Sequence, residues 1–564
     1  MNREDLIHYI HNTDNINLVS ENEILLGSEI NEFFCELKIN ESKVSVRVLI
    51  SNRFPDILPK FYLEKYNSLG FIPHIEPDGS ICYLEKESIY VNTDVPDIVF
   101  DASVHLVIKT IEDGVNGLNH IDFREEFQVF WERNPHLNKL RLISFIDLGT
   151  QPKIIQITKN EKTALVSDLN INIENQKKAL FKNNQSYKKT GVYIPISISS
   201  DIIPPEYDII WSSKEFIDWL KQNVTTITWN LLQEQILNNR PERFQYVILG
   251  IPRNTGATIL VAIKLKPKKG ASNPLLDKQY DWKLSPLKVT RLDSKSIFPR
   301  GGANIDLQKK KVLLIGCGSV GSQIALMLCK TGIGSLDLVD YDTFKLENIQ
   351  RYALGLSYIG KNKSLALKEY IKQNFIGVTL NSFENKIEDL LRLQTINFND
   401  YDLIISATGD PNVNFSLSKT AINQKISLIT CWNEPYGIGG HIILNIDNQS
   451  GCYKCLYKNT YNLASFASEN QPKPFHKKHL GCGEVFTPYS VLDSIQTSQL
   501  TVRLANKFLL GKIDKSTILS WIGESDEFLN NGFNLSERYL KQTQDEMYQK
   551  REDFINPNCD YCNL

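Results

Sequence analysis

The most constraining feature of the sequence is a strand, a glycine turn, a helix and a second strand in direct succession. The stretch reads KKKVLLIGCGSVGSQIALMLCKTGIGSLDLVDYD over residues 309–342. Further apolar runs follow at YDLIISAT, ISLIT and HIILNI, each of a length typical of a buried strand. Parallel strands need a crossover connection between them, usually a helix. We therefore predict an α/β domain over residues 291–564.

The glycines of this turn predict a nucleotide site. Gly316, Gly318 and Gly321 fit the pattern G-x-G-x-x-G between the first strand and the helix. Glycines at these positions let the backbone turn tightly and approach a phosphate, which can meet the helix N-terminus. Asp340 ends the next strand, where a carboxylate suits a ribose hydroxyl. These features are also typical of NAD and FAD sites, so a nicotinamide- or flavin-dependent oxidoreductase is one alternative.

The polar residues that follow favour ATP over a redox cofactor. DYDTFKLENIQR brings Asn348 and Arg351, IGKNK brings Lys363, and SATGDPNVN brings Asp410 after another strand. Arg and Lys can neutralise the charge of a triphosphate, and an Asp can hold Mg²⁺. A dehydrogenase does not need these groups beyond its second strand, whereas a reaction that expels pyrophosphate does.

The motifs GCGSVG, VDYDTFKLENIQR, IGKNK and ATGD, in this order, resemble the Rossmann-like adenylation domain of the ubiquitin-activating, ThiF and MoeB superfamily. The resemblance implies that Asp340 binds the ribose, that Asn348, Arg351 and Lys363 contact the phosphates, and that Asp410 holds Mg²⁺. It also implies a homodimer, because adenylation domains of this superfamily pair.

Four of the ten cysteines form two CxxC pairs, GCYKC and NCDYC. They are Cys452, Cys455, Cys559 and Cys562. Two such pairs suit a tetrahedral structural Zn²⁺ with no open position for catalysis. The predicted metal would pin the C-terminal tail to the domain, a clip that the same superfamily commonly carries. In a cytosolic protein, metal ligation is also more common than disulfide bonding.

Cys482 lies between these pairs, in HLGCGEVF. Its flanking glycines allow a close approach by substrate, and Lys477, Lys478 and His479 favour a thiolate. The superfamily resemblance implies that a loop crossing the nucleotide site carries the thioester cysteine, and Cys482 fits that placement. Cys431, in ITCWNEPYG, is the competing candidate, although we expect it to pack near the nucleotide.

Residues 1–150 are predicted to form an α+β domain with a helix near 99–113. FPDILPKFYL followed by PHIEPDGSIC resembles the ubiquitin-conjugating fold, in which a cysteine follows such a turn. The resemblance implies that Cys82 is an acyl-accepting thiol. His74 occupies the position of an Asn in eukaryotic members, where an imidazole can donate to an oxyanion or act as a base. The alternative is a non-catalytic module with Cys82 as a core thiol.

Residues 151–290 are rich in strands and carry no chemical motif, so we predict a β-rich connecting domain. The segment SKEFIDWLKQN within it is predicted to be a helix capped by Ser213.

The three regions together resemble the fused activating–conjugating enzymes of bacterial CBASS anti-phage systems. The resemblance implies that a cGAS-like nucleotidyltransferase is activated through its C-terminal carboxylate by ATP and Mg²⁺. The acyl group would pass from Cys482 to Cys82 and then to a target amine. A sulfur-carrier-protein adenylyltransferase of ThiF or MoeB type, with a non-catalytic N-terminal module, is the alternative.

The composition sets limits on the partners and the compartment. The net charge of −2 gives no global field that would favour nucleic acid or a membrane surface. Apolar runs stay far below the roughly 20 residues of a membrane span, and no signal peptide is recognisable. We therefore expect a cytoplasmic protein that binds neither nucleic acid nor membranes.

Overall fold

The computed structural model describes residues 3–21, 29–84, 92–169, 171, 173–181, 185–197, 202–239, 244–254, 256–267, 275–276, 282–458, 461–478, 485–550 and 554–562. The chain divides into two compact units. One comprises Met1–Ile171 and Asn183–Arg291, and the other comprises Asn172–Lys182 and Leu292–Leu564. Across the residues described, no helix is both long enough and apolar enough to cross a bilayer.

The first unit begins with a four-stranded antiparallel sheet of order β1-β2-β3-β4. Its elements are α1 (Arg3–Asn12), β1 (Ile16–Glu21), β2 (Ile30–Ile39), β3 (Ser42–Ser51), β4 (Lys60–Leu63), α2 (Pro96–Val115), α3 (Ile121–Glu125) and α4 (Phe127–Glu132). Side chains of β2 and β3 alternate between buried and accessible positions, as expected for a sheet with one face in the core. Helix α2 packs on this face through Phe100, Val104 and Val107. This arrangement confirms the predicted α+β architecture.

The same unit continues into a closed barrel of seven strands, in the order β10-β11-β5-β7-β6-β8-β9. Its elements are β5 (Asn138–Ser144), β6 (Lys153–Lys159), β7 (Thr163–Asp168), α5 (Glu174–Leu180), β8 (Tyr187–Pro195), α6 (Ser213–Asn223), α7 (Thr226–Leu237), β9 (Phe244–Pro252), β10 (Thr258–Pro267) and β11 (Trp282–Arg291), with α5 assigned to the second unit. Strand β5 lies before the expected boundary at residue 150, so the barrel uses residues from both sides of it. The division into three domains stays a prediction.

One local prediction in this region is wrong. Ser212, and not Ser213, is the N-cap of α6. Its side chain accepts a hydrogen bond from the Glu215 amide, and the Glu215 carboxylate accepts one from the Ser212 amide. Ser213 is already inside the helix, and its hydroxyl instead donates to the Trp282 carbonyl at 2.8 Å. The capping box therefore begins one residue earlier than predicted.

The second unit contains a seven-stranded sheet of order β14-β13-β12-β15-β16-β17-β22. Its elements are α8 (Ser294–Gly301), β12 (Lys311–Ile315), α9 (Ser319–Thr331), β13 (Ser335–Val339), α10 (Lys363–Asn374), β14 (Thr379–Phe383), α11 (Ile387–Arg392), β15 (Leu403–Ser406), α12 (Pro411–Asn423), β16 (Leu428–Asn433), β17 (Gly439–Asn445), β18 (Tyr457–Lys458), β19 (Tyr461–Asn462), β20 (Lys477–Lys478), β21 (Val485–Phe486), α13 (Val491–Leu509), β22 (Thr517–Ile522), α14 (Asp526–Asn530), α15 (Glu537–Lys541) and α16 (Gln544–Lys550). The predicted α/β architecture is confirmed.

The topology of this sheet explains where a ligand can bind. The five strands from β14 to β16 are parallel, whereas β17 and β22 pair antiparallel at the far end. The chain runs outward in one direction from β12 to β14 and in the other from β15 to β16. Such a reversal leaves a crevice at the carboxyl ends of the two central strands. The glycine turn follows β12, and Asp410 follows β15, so both lie at this edge.

Candidate active sites and metal centre

The glycine turn is shaped by close backbone contacts. Gly316 has a φ of +88°, and a Cβ atom there would lie 2.8 Å from the Ala407 carbonyl. A Cβ atom at Gly321 would lie 1.9 Å from the Gly316 carbonyl oxygen. Gly318 is different, because it caps the N-terminus of α9 and a Cβ atom there would have no neighbour within 4 Å. Gly316 and Gly321 thus allow the turn itself, while Gly318 faces open space in front of the helix.

Asp340 is buried beside this turn. Its Oδ2 accepts a hydrogen bond from the Cys317 amide at 2.6 Å, and its Oδ1 accepts one from the Asp342 amide at 2.8 Å. Burial raises the pKa of the Asp340 carboxyl, while the charge of Lys363 and the two amides lower it. The carboxylate therefore lies at the end of β13, next to the glycine turn, as a ribose ligand requires. Its role in binding the ribose stays a prediction.

Lys363 is the first residue of α10, and its side chain lies beside Asp342 and close to Asp340. Its Nζ lies 2.9 Å from the Asp342 Oδ2, and its amide donates to the Asp342 carbonyl. Its side chain is only 12% exposed. Sequence analysis gave Asp342 no role, although its place two residues after Asp340 was a usable signal. The structure thus brings Asp340, Asp342 and Lys363 together.

Arg351 and Asn348 lie on the wall of a neighbouring cavity of about 1460 Å³. The Arg351 guanidinium lies 4.7 Å from the centre of the Tyr489 ring, and the Tyr489 hydroxyl is 2.9 Å from the Ser319 hydroxyl at the start of α9. Arg351 is therefore connected to the helix that follows the glycine turn. Lys363 is not among the described residues that line this cavity.

Asp410 is the N-cap of α12. Its Oδ1 accepts hydrogen bonds from the amides of Asn412 and Val413, at 2.8 and 3.4 Å. A cap of this kind stabilises the helix without any metal. The residue is exposed at the carboxyl end of the parallel strands, where a ligand could reach it. Its role as a Mg²⁺ ligand stays a prediction.

Cys82 lies at the end of a tight turn in the first unit. Gly79 has a φ of +84°, and a Cβ atom there would lie 2.3 Å from the Leu63 carbonyl oxygen, so the turn requires glycine. The Cys82 amide then donates to the His74 carbonyl at 2.8 Å. Of the nine cysteines that the structure describes, Cys82 is the one with an exposed side chain. Its exposure suits an acyl acceptor better than a core thiol.

His74 adopts a left-handed conformation with a φ of +64°. Its Nε2 is 2.9 Å from the Asp122 Oδ2, and its Nδ1 is 3.5 Å from the Glu126 Oε1. Sequence analysis found neither carboxylate, because both follow α2, about 50 residues away in the chain. The predicted role of His74 at the oxyanion remains a prediction, and the carboxylates fix its ring orientation.

Cys482 and His479 lie outside the described residues. The competing candidate, Cys431, is buried inside β16, and its Sγ lies 3.5 Å from the Ser406 carbonyl oxygen. Burial raises the pKa of the Cys431 thiol to about 12. Since the nucleophile in acyl transfer is the thiolate, Cys431 is unsuited to the reaction. The role of Cys482 as the first thioester cysteine stays a prediction.

The two CxxC pairs meet in one cluster. The thiols of Cys452, Cys455, Cys559 and Cys562 all lie within 4.8 Å of one another. Neighbouring sulfurs are 3.4 to 3.9 Å apart. Four thiolates around Zn²⁺, with Zn–S bonds of about 2.3 Å, would be about 3.8 Å apart. These distances are too long for disulfides, whose sulfurs are about 2.05 Å apart. The cluster therefore fits a closed structural metal site.

We predict that one Zn²⁺ per chain occupies this cluster and stabilises the second unit. Removing the metal with a chelator should lower the melting temperature, since the C-terminal tail would lose its attachment. A loss of about 2 kcal/mol would lower it by about 4 to 8 °C in a unit of this size. Zinc analysis and calorimetry test this. Added Zn²⁺ should restore the wild type but not Cys559→Ser, and an unchanged melting temperature after complete metal removal would contradict a stabilising role.

Family models match both ends of the chain. The ThiF family matches residues 296–508, and prokaryotic E2 family B matches residues 25–139. The nucleotide-site residues predicted at the glycine turn, at Asp340 and at Asp410 all fall within the first match, and Cys82 falls within the second.

Relatives match most of the chain. An ATP-dependent ubiquitin transferase-like protein, Cap2, from Escherichia coli (strain TW11681) is 24% identical over 541 residues, which cover 87% of this chain and 86% of the relative. Another Cap2, from Pseudomonas aeruginosa (strain BWHPSA011 / Pa011), is 23% identical and covers 78% of this chain and 80% of its own. A crystal structure of E. coli MccB with MccA-N7isoASN is 19% identical and covers 46% of this chain and 68% of its own, with a TM-score of 0.33.

The two family matches lie in the order of the two units, and the relatives extend across both. The chain is therefore a ubiquitin-activating and -conjugating-like ligase, in which a domain of prokaryotic E2 family B precedes a ThiF family adenylation domain.

Proposed function

We propose that this enzyme activates the C-terminal carboxylate of a protein with ATP and transfers the acyl group through Cys482 and Cys82 to an amine. The observation that carries the proposal is an exposed cysteine on a ubiquitin-conjugating-like domain, in the same chain as a ThiF family domain. An activating domain alone has no need of an acyl-accepting thiol on a separate domain.

In the first step a carboxylate oxygen attacks the α-phosphorus of ATP, and pyrophosphate leaves. Asp340 would hold the ribose, and Lys363 and Arg351 would offset the negative charge that develops on the phosphates. Asp410 would hold Mg²⁺, which supplies further charge neutralisation when bound.

In the second step the Cys482 thiolate attacks the acyl carbon, a thioester forms and AMP leaves. In the third step the Cys82 thiolate displaces Cys482. In the last step a target amine attacks the Cys82 thioester, the amide forms, the thiolate leaves and the amine loses a proton. Each cysteine divides one difficult acyl transfer into easier ones. The His74 carbonyl accepts a hydrogen bond from the Cys82 amide. His74 would therefore orient the thioester at Cys82.

Intact mass of the full-length protein under non-reducing conditions tests the relay. The protein is mixed with ATP, Mg²⁺ and a cGAS-like nucleotidyltransferase, in wild-type, Cys82→Ala and Cys482→Ala forms. We expect thiol-sensitive adducts on both cysteines of the wild type, on Cys482 alone in Cys82→Ala, and on neither in Cys482→Ala. An adduct at Cys82 in the absence of Cys482 would contradict the order of transfer.

The matched control is Cys35→Ala. Cys35 lies on β2 of the same domain, where burial raises the pKa of its thiol to about 12. This variant should keep both adducts. A nucleotidyltransferase that lacks its last residues should form none, because it offers the enzyme a different carboxylate.

A sulfur-carrier activator is the second candidate. An adenylyltransferase and sulfurtransferase, UBA4, from Candida glabrata is 27% identical over 222 residues, which cover 37% of this chain and 50% of the relative. That activity would give an adenylate and an adduct at most at Cys482, and it would require a sulfur donor. An adduct at Cys82 excludes this reading.

The partner and the assembly are part of the same proposal. We infer that the activated protein is a cGAS-like nucleotidyltransferase, that the acceptor is a lysine amine, and that the enzyme acts as a homodimer in the cytoplasm. Sedimentation of the purified enzyme tests the dimer independently of the reaction.

A further inference from the structure

Three consecutive residues beside Cys82 are each held by a group from outside the sheet. His74 is paired with Asp122 and Glu126, as described above. The Ile75 carbonyl accepts a hydrogen bond from the Tyr207 hydroxyl at 2.9 Å. Glu76 forms an ion pair with Arg133, which follows α4. The segment 74–76 is therefore anchored at every residue.

Tyr207 belongs to the barrel connection between β8 and α6. Its side chain is 3% exposed, and burial raises the pKa of its phenol, so the hydroxyl remains a donor. The ring is fixed by stacking on Phe130 at 5.3 Å and by an edge contact with Tyr66 at 5.4 Å. The hydroxyl thus reaches Ile75 from a rigid position.

Glu206 and Asp208, on either side of Tyr207, contact the N-terminal α+β domain at a second place. The Tyr66 hydroxyl donates to Glu206 at 3.2 Å and also to Asp208. The residues on both sides of Tyr207 therefore contact the loop after β4, while Tyr207 itself reaches the segment that precedes Cys82. We name residues 206–208 the clamp.

The clamp reaches Cys82 through segment 74–76, whose backbone is hydrogen-bonded to the strand end that carries the cysteine. The Cys82 amide donates to the His74 carbonyl, and the neighbouring pair Ile75 and Ile81 form an antiparallel bridge. Any displacement of segment 74–76 therefore moves the backbone that carries the thiol. Loss of the Tyr207 hydroxyl would leave the buried Ile75 carbonyl without this donor, which favours local opening of the segment.

We infer that the barrel, through Tyr207, positions Cys82 for acyl transfer, and that Tyr207 is a positioning residue of the conjugating site. This inference rests on the proposed role of Cys82, and it assigns a function to the middle of the chain. A misplacement of reacting groups by about 1 Å can slow a transfer by about 100-fold. Rigid support from the clamp keeps the thiol in one place.

The test uses Tyr207→Phe in the full-length enzyme, which keeps the ring contacts and removes only the hydroxyl. The rate at which the acyl group moves to Cys82 in a single turnover should fall by about 10- to 100-fold. The adduct at Cys482 should form at the wild-type rate. Hydrogen exchange at the Cys82 amide should become about 10-fold faster.

Tyr193→Phe is the matched control. Tyr193 is a buried barrel tyrosine whose hydroxyl donates to the carbonyl of Gly149, in the connection between β5 and β6, at 3.3 Å. Its loss should leave transfer and Cys82 exchange unchanged. Equal transfer rates and equal exchange for Tyr207→Phe and Tyr193→Phe would overturn the inference.

Failure of the inference differs from failure of the proposed function. If the wild type forms no adduct at Cys82, the relay itself is wrong, and the exchange measurement still decides whether Tyr207 supports the Cys82 backbone. Arg133→Gln provides a second variant, since it removes the partner of Glu76 at a half-exposed position without disturbing the aromatic cluster. Faster exchange at Cys82 in this variant supports the anchoring of segment 74–76, and unchanged exchange in both variants contradicts it.

Discussion

Replacing Lys363 by methionine is expected to lower ATP–pyrophosphate exchange by about 100-fold or more. The Lys363 side chain is largely buried, and it is held 2.9 Å from Asp342 beside the glycine turn. A preorganised charge in such a site contributes most where charge develops, and removal of one such donor costs about 100- to 1,000-fold in rate. Methionine keeps the length and apolar body of the side chain, so the loss reports the charge.

Lys361→Met is the matched control, in the loop two residues before Lys363 and α10. Lys361 pairs with Glu369 on α10 and is 42% exposed. Exposed pairs contribute little to stability, and Lys361 is not among the residues predicted to contact the nucleotide. Lys361→Met should keep the wild-type rate of ATP–pyrophosphate exchange. Equal loss in the two variants would show that the loop needs two positive charges in general, and would contradict the specific role of Lys363.

Lys363→Met should also change the pH dependence of ATP–pyrophosphate exchange. Burial raises the pKa of Asp340, and Lys363 is the largest of the influences that lower it. Without Lys363 the pKa of Asp340 rises further, so a larger fraction of the carboxyl is protonated at a given pH. A protonated Asp340 accepts hydrogen bonds poorly. The acidic limb of the pH–rate profile should therefore move to higher pH in Lys363→Met and stay in place in Lys361→Met.

The parts of the candidate site that can be predicted from the sequence are those whose residues lie close together along the chain. The two CxxC pairs, the glycine pattern and Asp340 are each recognisable within a few residues, because one turn or one strand end presents them together. The cysteine pairs then meet as predicted, within 4.8 Å. The order of the motifs along the chain was sufficient for the α/β fold, since each strand and helix has its own period.

Long-range contacts could not be found in the same way. The barrel closes through pairing of β10 with both β9 and β11 and of β5 with β11, and nothing local specifies these partners. Asp122, Glu126 and Tyr207 reach segment 74–76 from elsewhere in the chain. The exposure of Cys82 also depends on how distant elements pack. The sequence alone therefore predicts candidate reacting residues and misses the distant groups that contact them.

Two glycines of one motif should fail in different ways when each is replaced by alanine. At Gly321 a methyl group would meet the Gly316 carbonyl oxygen at 1.9 Å, and backbone atoms cannot move aside easily. Overpacking of this kind costs about 1 to 3 kcal/mol, which is about 2 to 12 °C in melting temperature for a unit of this size. Gly321→Ala should therefore lower stability even without ATP.

At Gly318 the methyl group would enter space with no neighbour within 4 Å, so Gly318→Ala should keep the wild-type melting temperature. If a phosphate of ATP lies in that space, the methyl group would displace it, and a penalty of 1.4 kcal/mol or more would raise the apparent Kd for ATP by about 10-fold or more. Calorimetry with and without ATP, together with ATP–pyrophosphate exchange at several ATP concentrations, separates a loss of stability from a loss of ATP affinity. Normal ATP affinity in a stable Gly318→Ala protein would contradict the placement of the phosphates, because the space in front of α9 would then belong to something other than the nucleotide.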